Sequence, residues 1–248
     1  SIFDTITTMV DIMSRGGGVG INWSVLRPAG TYLTRVSGHS SGPVGWMEVA
    51  SSAVGEVEQG GSRRGAAMFM LDDWHPDVMR FIEAKTKKGR MVNANISVAI
   101  SDRFMDAVRD DGDWSLCFPD TSSTHYDREW EGDIVDWARR GYPVKVHQVI
   151  KARELWDGIA MSAHASGEPG VVFLDRYNRL STANGIERII SVNPCGEQGL
   201  GAYSVCNLGA MNLDAYVSKA YPIGGNLEAG ATDTIFLWNT FASDVQTA

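Results

Sequence analysis

The chain has 248 residues, 44% of them hydrophobic, enough to bury the core of one large or two small domains. A formal net charge of −8 leaves no basic surface for nucleic acid or an anionic membrane, so any nucleotide must be bound locally. No apolar run reaches the length of a membrane span and the N-terminus lacks a signal-peptide pattern. Three cysteines are too few and too badly spaced for a disulfide scaffold, which predicts a protein of the reducing cytoplasm.

In chain order, Ile2, Ile6, Met9, Val10 and Met13 recur at helical spacing, and the glycines from Gly16 to Gly18 end that helix. A short strand is predicted from Val19 to Trp23, then an irregular stretch from Arg27 to Gly42. Pro43 starts a helix running to about Gln59, and Pro76 starts another through Val78, Phe81 and Ile82. Between them the loop Gly60-Gly-Ser-Arg-Arg-Gly65 leads into a buried strand, Ala66 to Leu71. Asn95 to Ile100 is the next strand, with Asp102 read as the cap of the following helix. A helix over Ala152 to Ser166 precedes a strand over Val171 to Leu174, and a final helix is predicted from Thr234 to Ala248. Alternating strands and helices argue for a parallel sheet in an α/β fold, with Asp110 to Pro143 as an excursion from the repeat. Helical patterns at both ends of the chain read as a fragment truncated at both ends.

Metal chemistry finds no support. There is no C-x-x-C and no H-E-x-x-H, and His39, His75, His125, His147 and His164 are scattered, so each is read as a surface or capping residue. The run Arg15-Gly-Gly-Gly-Val-Gly20 fails the dinucleotide fingerprint, because the third glycine falls on Ile21 or Trp23, and no Gly-Lys-Ser/Thr makes a phosphate loop. What remains is backbone N–H groups beside Arg27 in one glycine cluster and beside Arg63 and Arg64 in the other, suited to polyphosphate or base contacts.

The most informative run is Ser191-Val-Asn-Pro-Cys-Gly-Glu-Gln198. Read as an extended segment, it points Asn193, Cys195 and Glu197 to one side, so an amide, a thiol and a carboxylate share a small volume. Pro194 supports the extended reading, and Gly196 permits close approach of a substrate. A lone cysteine is more often a small core hydrophobe than a nucleophile, and Cys117 is read that way; a thiol between Pro and Gly beside a carboxylate is not. Cys206 follows eleven residues after Cys195, and a turn around Gly199 to Gly201 is expected to fold the two thiols together.

Together, Gly16-Gly-Gly-Val-Gly-Ile-Asn22, Gln59-Gly-Gly-Ser-Arg-Arg-Gly-Ala66, Asn193-Pro-Cys-Gly-Glu197 and Cys206-Asn-Leu-Gly209 resemble the large, catalytic subunit of ribonucleotide reductase. Pro194 and the wording Cys-Gly-Glu-Gln resemble its adenosylcobalamin-dependent branch. The resemblance implies a ten-stranded α/β barrel of two parallel halves, of which residues 1–248 supply the first half and a central finger loop. It makes Cys195 the thiyl radical that takes the ribose 3′ hydrogen, Glu197 the general base and Asn193 the hydrogen-bond partner of the ribose hydroxyls. It makes Cys206 one member of the redox pair whose other thiol lies upstream of Ser1. Gly18, Asn193, Pro194 and Gly196 would line the substrate, a ribonucleoside di- or triphosphate. Arg27 would meet the triphosphate of a deoxynucleotide or ATP effector, with Gly61, Ser62, Arg63 and Arg64 as the loop that passes effector identity to the substrate base. Implied partners are a thioredoxin or glutaredoxin type reductant and a second copy in a homodimer. The competing readings are an inactive nucleotide-binding regulatory module, disfavoured by the intact Asn193, Cys195 and Glu197, and a different thiyl- or glycyl-radical barrel enzyme, disfavoured by the Cys206 motif and the arginine loops.

Overall fold

The computed structural model describes residues 1–33, 36–59, 63–86, 89–220 and 233–247. These form two units, Ser1–Cys206 and Asn207–Ala248.

The first unit is organised around four parallel strands in the order Val19–Asn22, Ala67–Asp72, Asn95–Ile100, Gly170–Phe173. Alternation of side chains splits this sheet into two unlike faces. Phe69, Leu71, Ile96, Val98 and Ile100 join Met9, Met13, Met47, Phe81, Leu155 and Ile159 in the main core, which puts the helices Ile2–Ser14, Gly42–Glu56, Val78–Ile82 and Ala152–Ser166 on that side. Met68, Met70, Ala99 and Val172 point the other way, into a cluster completed by Val192. Each fully buried large side chain contributes about 1.5–3 kcal/mol, so the helix-backed face dominates stability while the opposite face is free to carry a site.

The predicted strands and helices of this repeat are present, with informative shifts at their ends. Helix 152–166 ends on Gly167 in the left-handed conformation, φ 84°. The cap of helix Asp102–Arg109 is Ser101, whose hydroxyl accepts from Phe104 N at 3.1 Å; Asp102 is the first helical residue. Serine takes the role because its extended backbone, ψ 153°, aims the side chain at the exposed N–H groups, and Asp102 there favours the helix dipole instead. The helix from Gly42 stops at Glu56, and Glu58–Gln59 pairs antiparallel with Arg63–Arg64.

The excursion is larger than expected and has its own core. Asp113–Pro119 pairs antiparallel with Val144–Lys151, a strand that the alternation Val144, Val146, Gln148, Ile150 carried but the chain-order reading passed over. Trp74, Phe118, Tyr126, Ile134 and Trp137 pack beneath it. The indole N–H groups of Trp114 and Trp130 donate to Asp73 O and Val25 O, each at 2.9 Å, which ties the excursion to the segments that follow two sheet strands, and that of Trp137 donates to Pro143 O at 2.9 Å within the excursion itself. Cys117 sits half-buried in this layer, its thiol pushed up to about 11 by burial.

His75 is not a surface residue; it is fully buried. Its Nδ1 accepts from Asp77 N at 3.0 Å, so Nε2 carries the proton and donates to Leu26 O at 2.9 Å. Burial pushes it down to about 4, and a neutral ring suits a group with two neutral partners. Asp73 is buried too: Oδ2 accepts from Ser101 N at 2.6 Å, Oδ1 has no partner, and burial raises its carboxyl to about 8. A raised acid stabilises the fold fully below its ordinary value of 3.8 and loses that contribution as pH rises toward 8. His75, depressed from 6.5, has the opposite sign and acts only below 6.5. Asp73→Asn in the full-length protein is therefore expected to gain melting temperature relative to the parent, by about 3 °C, between pH 6.5 and 8. Parallel melting curves for parent and variant would show no divergence if the carboxyl is ionised throughout.

In the second unit, Val217–Ala220 pairs antiparallel with Asp233–Phe236 and precedes the helix Trp238–Thr247. The helix predicted from Thr234 thus begins four residues later, because Asp233–Phe236, with β-branched Thr234 and Ile235, is taken into the sheet. Tyr216 joins the rings of Phe236 and Phe241 and donates to Asp244 Oδ2 at 2.8 Å.

Candidate active site

The reactive run is a hairpin, not an extended strand. Ser191–Val192 pairs with Gly199–Leu200, so the expected turn at Gly199 is a strand and the turn lies at Asn193 to Gly196. Asn193 O accepts from Gly196 N at 2.9 Å, and Asn193 N donates to Gln198 O at 3.0 Å. Pro194 has the fixed φ that the second position of such a turn needs, and Gly196, φ 87°, supplies the left-handed residue that closes it. Pro194 and Gly196 were therefore telling of a turn, and the proline's missing N–H costs the hairpin nothing there.

The turn still brings two of the expected groups, Asn193 and Glu197, together. Asn193 Nδ2 donates to Glu197 Oε1 at 2.7 Å, and Asn193 Oδ1 accepts from Gln198 N at 3.0 Å. Both functions of the amide are in use, so the carboxylate is aimed rather than free to swing. Cys195 lies between them in the chain and is exposed.

The hairpin seats on the free face of the sheet, Val192 lying in the cluster with Met68 and Met70. A Cβ on Gly20 would come within 1.7 Å of Val192 O, and one on Gly18 within 2.4 Å of Pro194 Cγ. Glycine at both positions is thus what lets the hairpin lie flush; Gly18 meets Pro194, and Met68 Cε lies 3.5 Å from the Cβ position of Gly196. Asn22 Nδ2 donates to Asp72 Oδ1 at 2.8 Å and to Ile190 O at 3.3 Å, and Asn178 exchanges two hydrogen bonds with Ile189, fixing the base of the hairpin.

Cys206 is exposed, and none of the three cysteines is in a disulfide. Arg27 lines a separate cleft of about 880 Å³, where Nη2 meets Asp127 Oδ1 at 3.1 Å and the guanidinium lies 4.8 Å from the Tyr126 ring centre. Lys145 and His147 line the same cleft. Sequence reasoning missed both, although their alternate positions on one strand place them on one face. Of the second arginine loop, Gly61 and Ser62 lie outside the described residues; Arg63 and Arg64 form the returning strand of the short hairpin, with Arg64 exposed. Asn95 and Tyr177, which contact the reactive turn, carried no sequence motif.

A helix-backed parallel sheet whose other face carries a thiol-bearing hairpin is a wall of an α/β barrel with its finger loop. The chain belongs to the ribonucleotide reductase family, matching the description "Ribonucleotide reductase, barrel domain" over residues 1–248. It is 41% identical over 214 residues to a vitamin B12-dependent ribonucleoside-diphosphate reductase of Mycobacterium tuberculosis, covering 86% of this chain and 28% of that protein. It is 37% identical over 217 residues to a protein of the same description from Thermoplasma acidophilum, covering 87% and 25%. A ribonucleoside-diphosphate reductase large subunit of Variola virus is 31% identical over 227 residues, covering 87% and 29%. The chain thus spans between 25% and 29% of the length of these relatives.

Among the described residues no three His, Cys, Asp or Glu side chains cluster as metal ligands, and no helix is long and apolar enough to cross a membrane. The exposed thiol of Cys195 is the group that the described residues would present to an adenosylcobalamin.

Proposed function

We propose that this chain carries the nucleotide-reducing centre of a ribonucleotide reductase, acting through a thiyl radical on Cys195. The observation that carries the reading is the single turn that presents Asn193, Cys195 and Glu197 together over the free face of the sheet, with the amide locked to the carboxylate at 2.7 Å. In this reading Cys195, as a thiyl, takes the 3′ hydrogen of the ribose, and Glu197 accepts the 3′-hydroxyl proton while Asn193 hydrogen-bonds the ribose hydroxyls. The 2′-hydroxyl takes a proton from the thiol pair and leaves as water, the pair's second hydrogen goes to C2′, and Glu197 returns its proton to the 3′ oxygen. Cys206 and a second thiol from elsewhere in the reductase give two electrons and become a disulfide, and Cys195 returns the hydrogen to C3′. A thioredoxin or glutaredoxin type reductant restores the dithiol. The names of the relatives favour a ribonucleoside diphosphate as substrate.

Adenosylcobalamin, when bound, would supply the one-electron oxidant that removes the Cys195 hydrogen; Pro194, the Cys-Gly-Glu-Gln wording and the B12-dependent relatives favour it over a partner radical subunit. The full-length enzyme, assayed anaerobically with adenosylcobalamin and a dithiol alone, is expected to form deoxynucleotide. Product that appears only after a metal-loaded partner subunit is added would reverse that choice.

The cleft holding Arg27, Lys145 and His147 suits the triphosphate of a nucleotide effector. Arg64, exposed on the strand Arg63–Arg64, is assigned to relaying effector identity. Arg64→Ala in the full-length enzyme is expected to change substrate-base preference under a given effector about tenfold while maximal rate changes less, a coupling of about 1.4 kcal/mol. Equal rate loss for all four substrates would assign Arg64 elsewhere.

A further inference from the structure

The hairpin is held to the sheet chiefly along its stem, by Val192 in the apolar cluster and by the Asn22 and Asn178 contacts at its base. Beyond the stem, two side chains from the wall reach the backbone of the turn itself. Asn95, the first residue of strand Asn95–Ile100, donates Nδ2–H to Pro194 O at 2.8 Å. Only an N–H can serve a carbonyl, so the amide orientation follows from the partner. Tyr177, in the helix Leu174–Leu180, donates its hydroxyl to Glu197 O at 3.3 Å, and its ring lies where a Cβ on Gly199 would meet it at 2.5 Å.

These two carbonyls bracket the thiol. One belongs to the residue before Cys195 and the other to the second residue after it, with the flexible Gly196 between. A tie on each side fixes the height and tilt of the peptide that carries Sγ without touching the groups that do chemistry. Hydrogen-atom transfer needs reacting atoms about 3–3.5 Å apart, and a displacement of about 1 Å costs on the order of 100-fold in rate.

We propose that Asn95 and Tyr177 are positioning residues for Cys195, and that Asn95, with the shorter bond, is the dominant one. The proposal rests on the reductase reading above. Asn95→Asp keeps the shape but sets a carboxylate against the Pro194 carbonyl, lifting the turn. In the full-length enzyme kcat is expected to fall about 30-fold or more with nucleotide KM within about twofold, as for an interaction needed only at the reacting atoms. Tyr177→Phe is expected to lower kcat about fivefold, a net effect of about 1 kcal/mol for one neutral hydrogen bond. Asn95→His, which retains a ring N–H donor, is expected to recover most of the loss, which a merely space-filling role would not give. Asn95 is exposed, so its variants are expected to fold.

Cys195→Ser, run in the same assay, separates the two claims. An active parent, an inactive serine variant and an Asn95→Asp kcat within twofold of the parent would overturn the positioning role and leave the reductase reading standing. Nucleotide reduction by the serine variant would overturn the thiyl role of Cys195 on which the positioning claim rests. Hydrogen exchange then decides the tie without reference to turnover. Faster exchange across residues 193–198 in Asn95→Asp, with the sheet strands unchanged, supports it, and unchanged exchange at the turn overturns it.

Discussion

Cys195→Ser in the full-length reductase is expected to abolish nucleotide reduction while leaving nucleotide affinity within about twofold of the parent. The two side chains are close in shape, and Cys195 is exposed at the end of a turn fixed by backbone hydrogen bonds, so the substitution leaves the fold and the binding surface in place. What it removes is a chemical property. A thiyl radical and an activated ribose C–H exchange a hydrogen atom near thermoneutrality, whereas a serine O–H is too strong a bond to be opened by the same oxidant and returned in turnover. No pKa adjustment by Glu197 or Asn193 substitutes for that, since the step moves an atom and not a proton. Steady-state formation of deoxynucleotide by the purified variant, above the level given by contaminating parent enzyme, would remove Cys195 from the reaction.

Gly20→Ala is expected to be the most damaging single-methyl change. The added Cβ would sit 1.7 Å from Val192 O and 2.8 Å from Val192 C, both backbone atoms of the hairpin stem, while Gly20 itself is held in register with Met68. Neither partner has a rotamer with which to yield. The hairpin must lift from the sheet, at a cost of about 1–3 kcal/mol for an overpacked site, and the displaced turn is expected to lose on the order of 100-fold in kcat. Gly112→Ala is the comparison: its nearest neighbour would be 3.6 Å away, in ordinary contact, so stability and rate should stay close to the parent. Equal melting temperatures and rates for the two variants would mean that the hairpin does not rest on Val19–Asn22.

The central strands of the parallel sheet, Ala67–Asp72 and Asn95–Ile100, were legible because they are buried on both faces and read as short, largely apolar runs set between helices with a period near 3.6. The antiparallel excursion was not. Its strand Val144–Lys151 is largely exposed, and an alternating run among acids and tryptophans looks like a loop when its partner, Asp113–Pro119, lies far back in the sequence. At the site, the identities of Asn193, Cys195 and Glu197 were read from residue type and family motif, but their geometry was inferred from strand alternation and is in fact made by a turn. Proline followed by glycine two residues on is ambiguous between the two, and the register of Ser191 with Leu200 decides it. Asn95, Tyr177, Lys145 and His147 were invisible for a different reason. Each acts across a fold contact, and a single polar side chain at a strand start or on an exposed strand carries no local signature of what it will face.

Cys117 is set apart from Cys195 and Cys206 by its burial. With its thiol pushed up to about 11 by burial, only about one molecule in ten thousand carries the thiolate there at pH 7. Thiol–disulfide exchange proceeds through the thiolate, so Cys117 exchanges slowly with any disulfide or thiol that reaches it. Packing one sulfur against the aromatic layer of Trp74, Phe118 and Trp137 thereby turns a reactive group into a space-filling one, where a smaller residue would have left a hole.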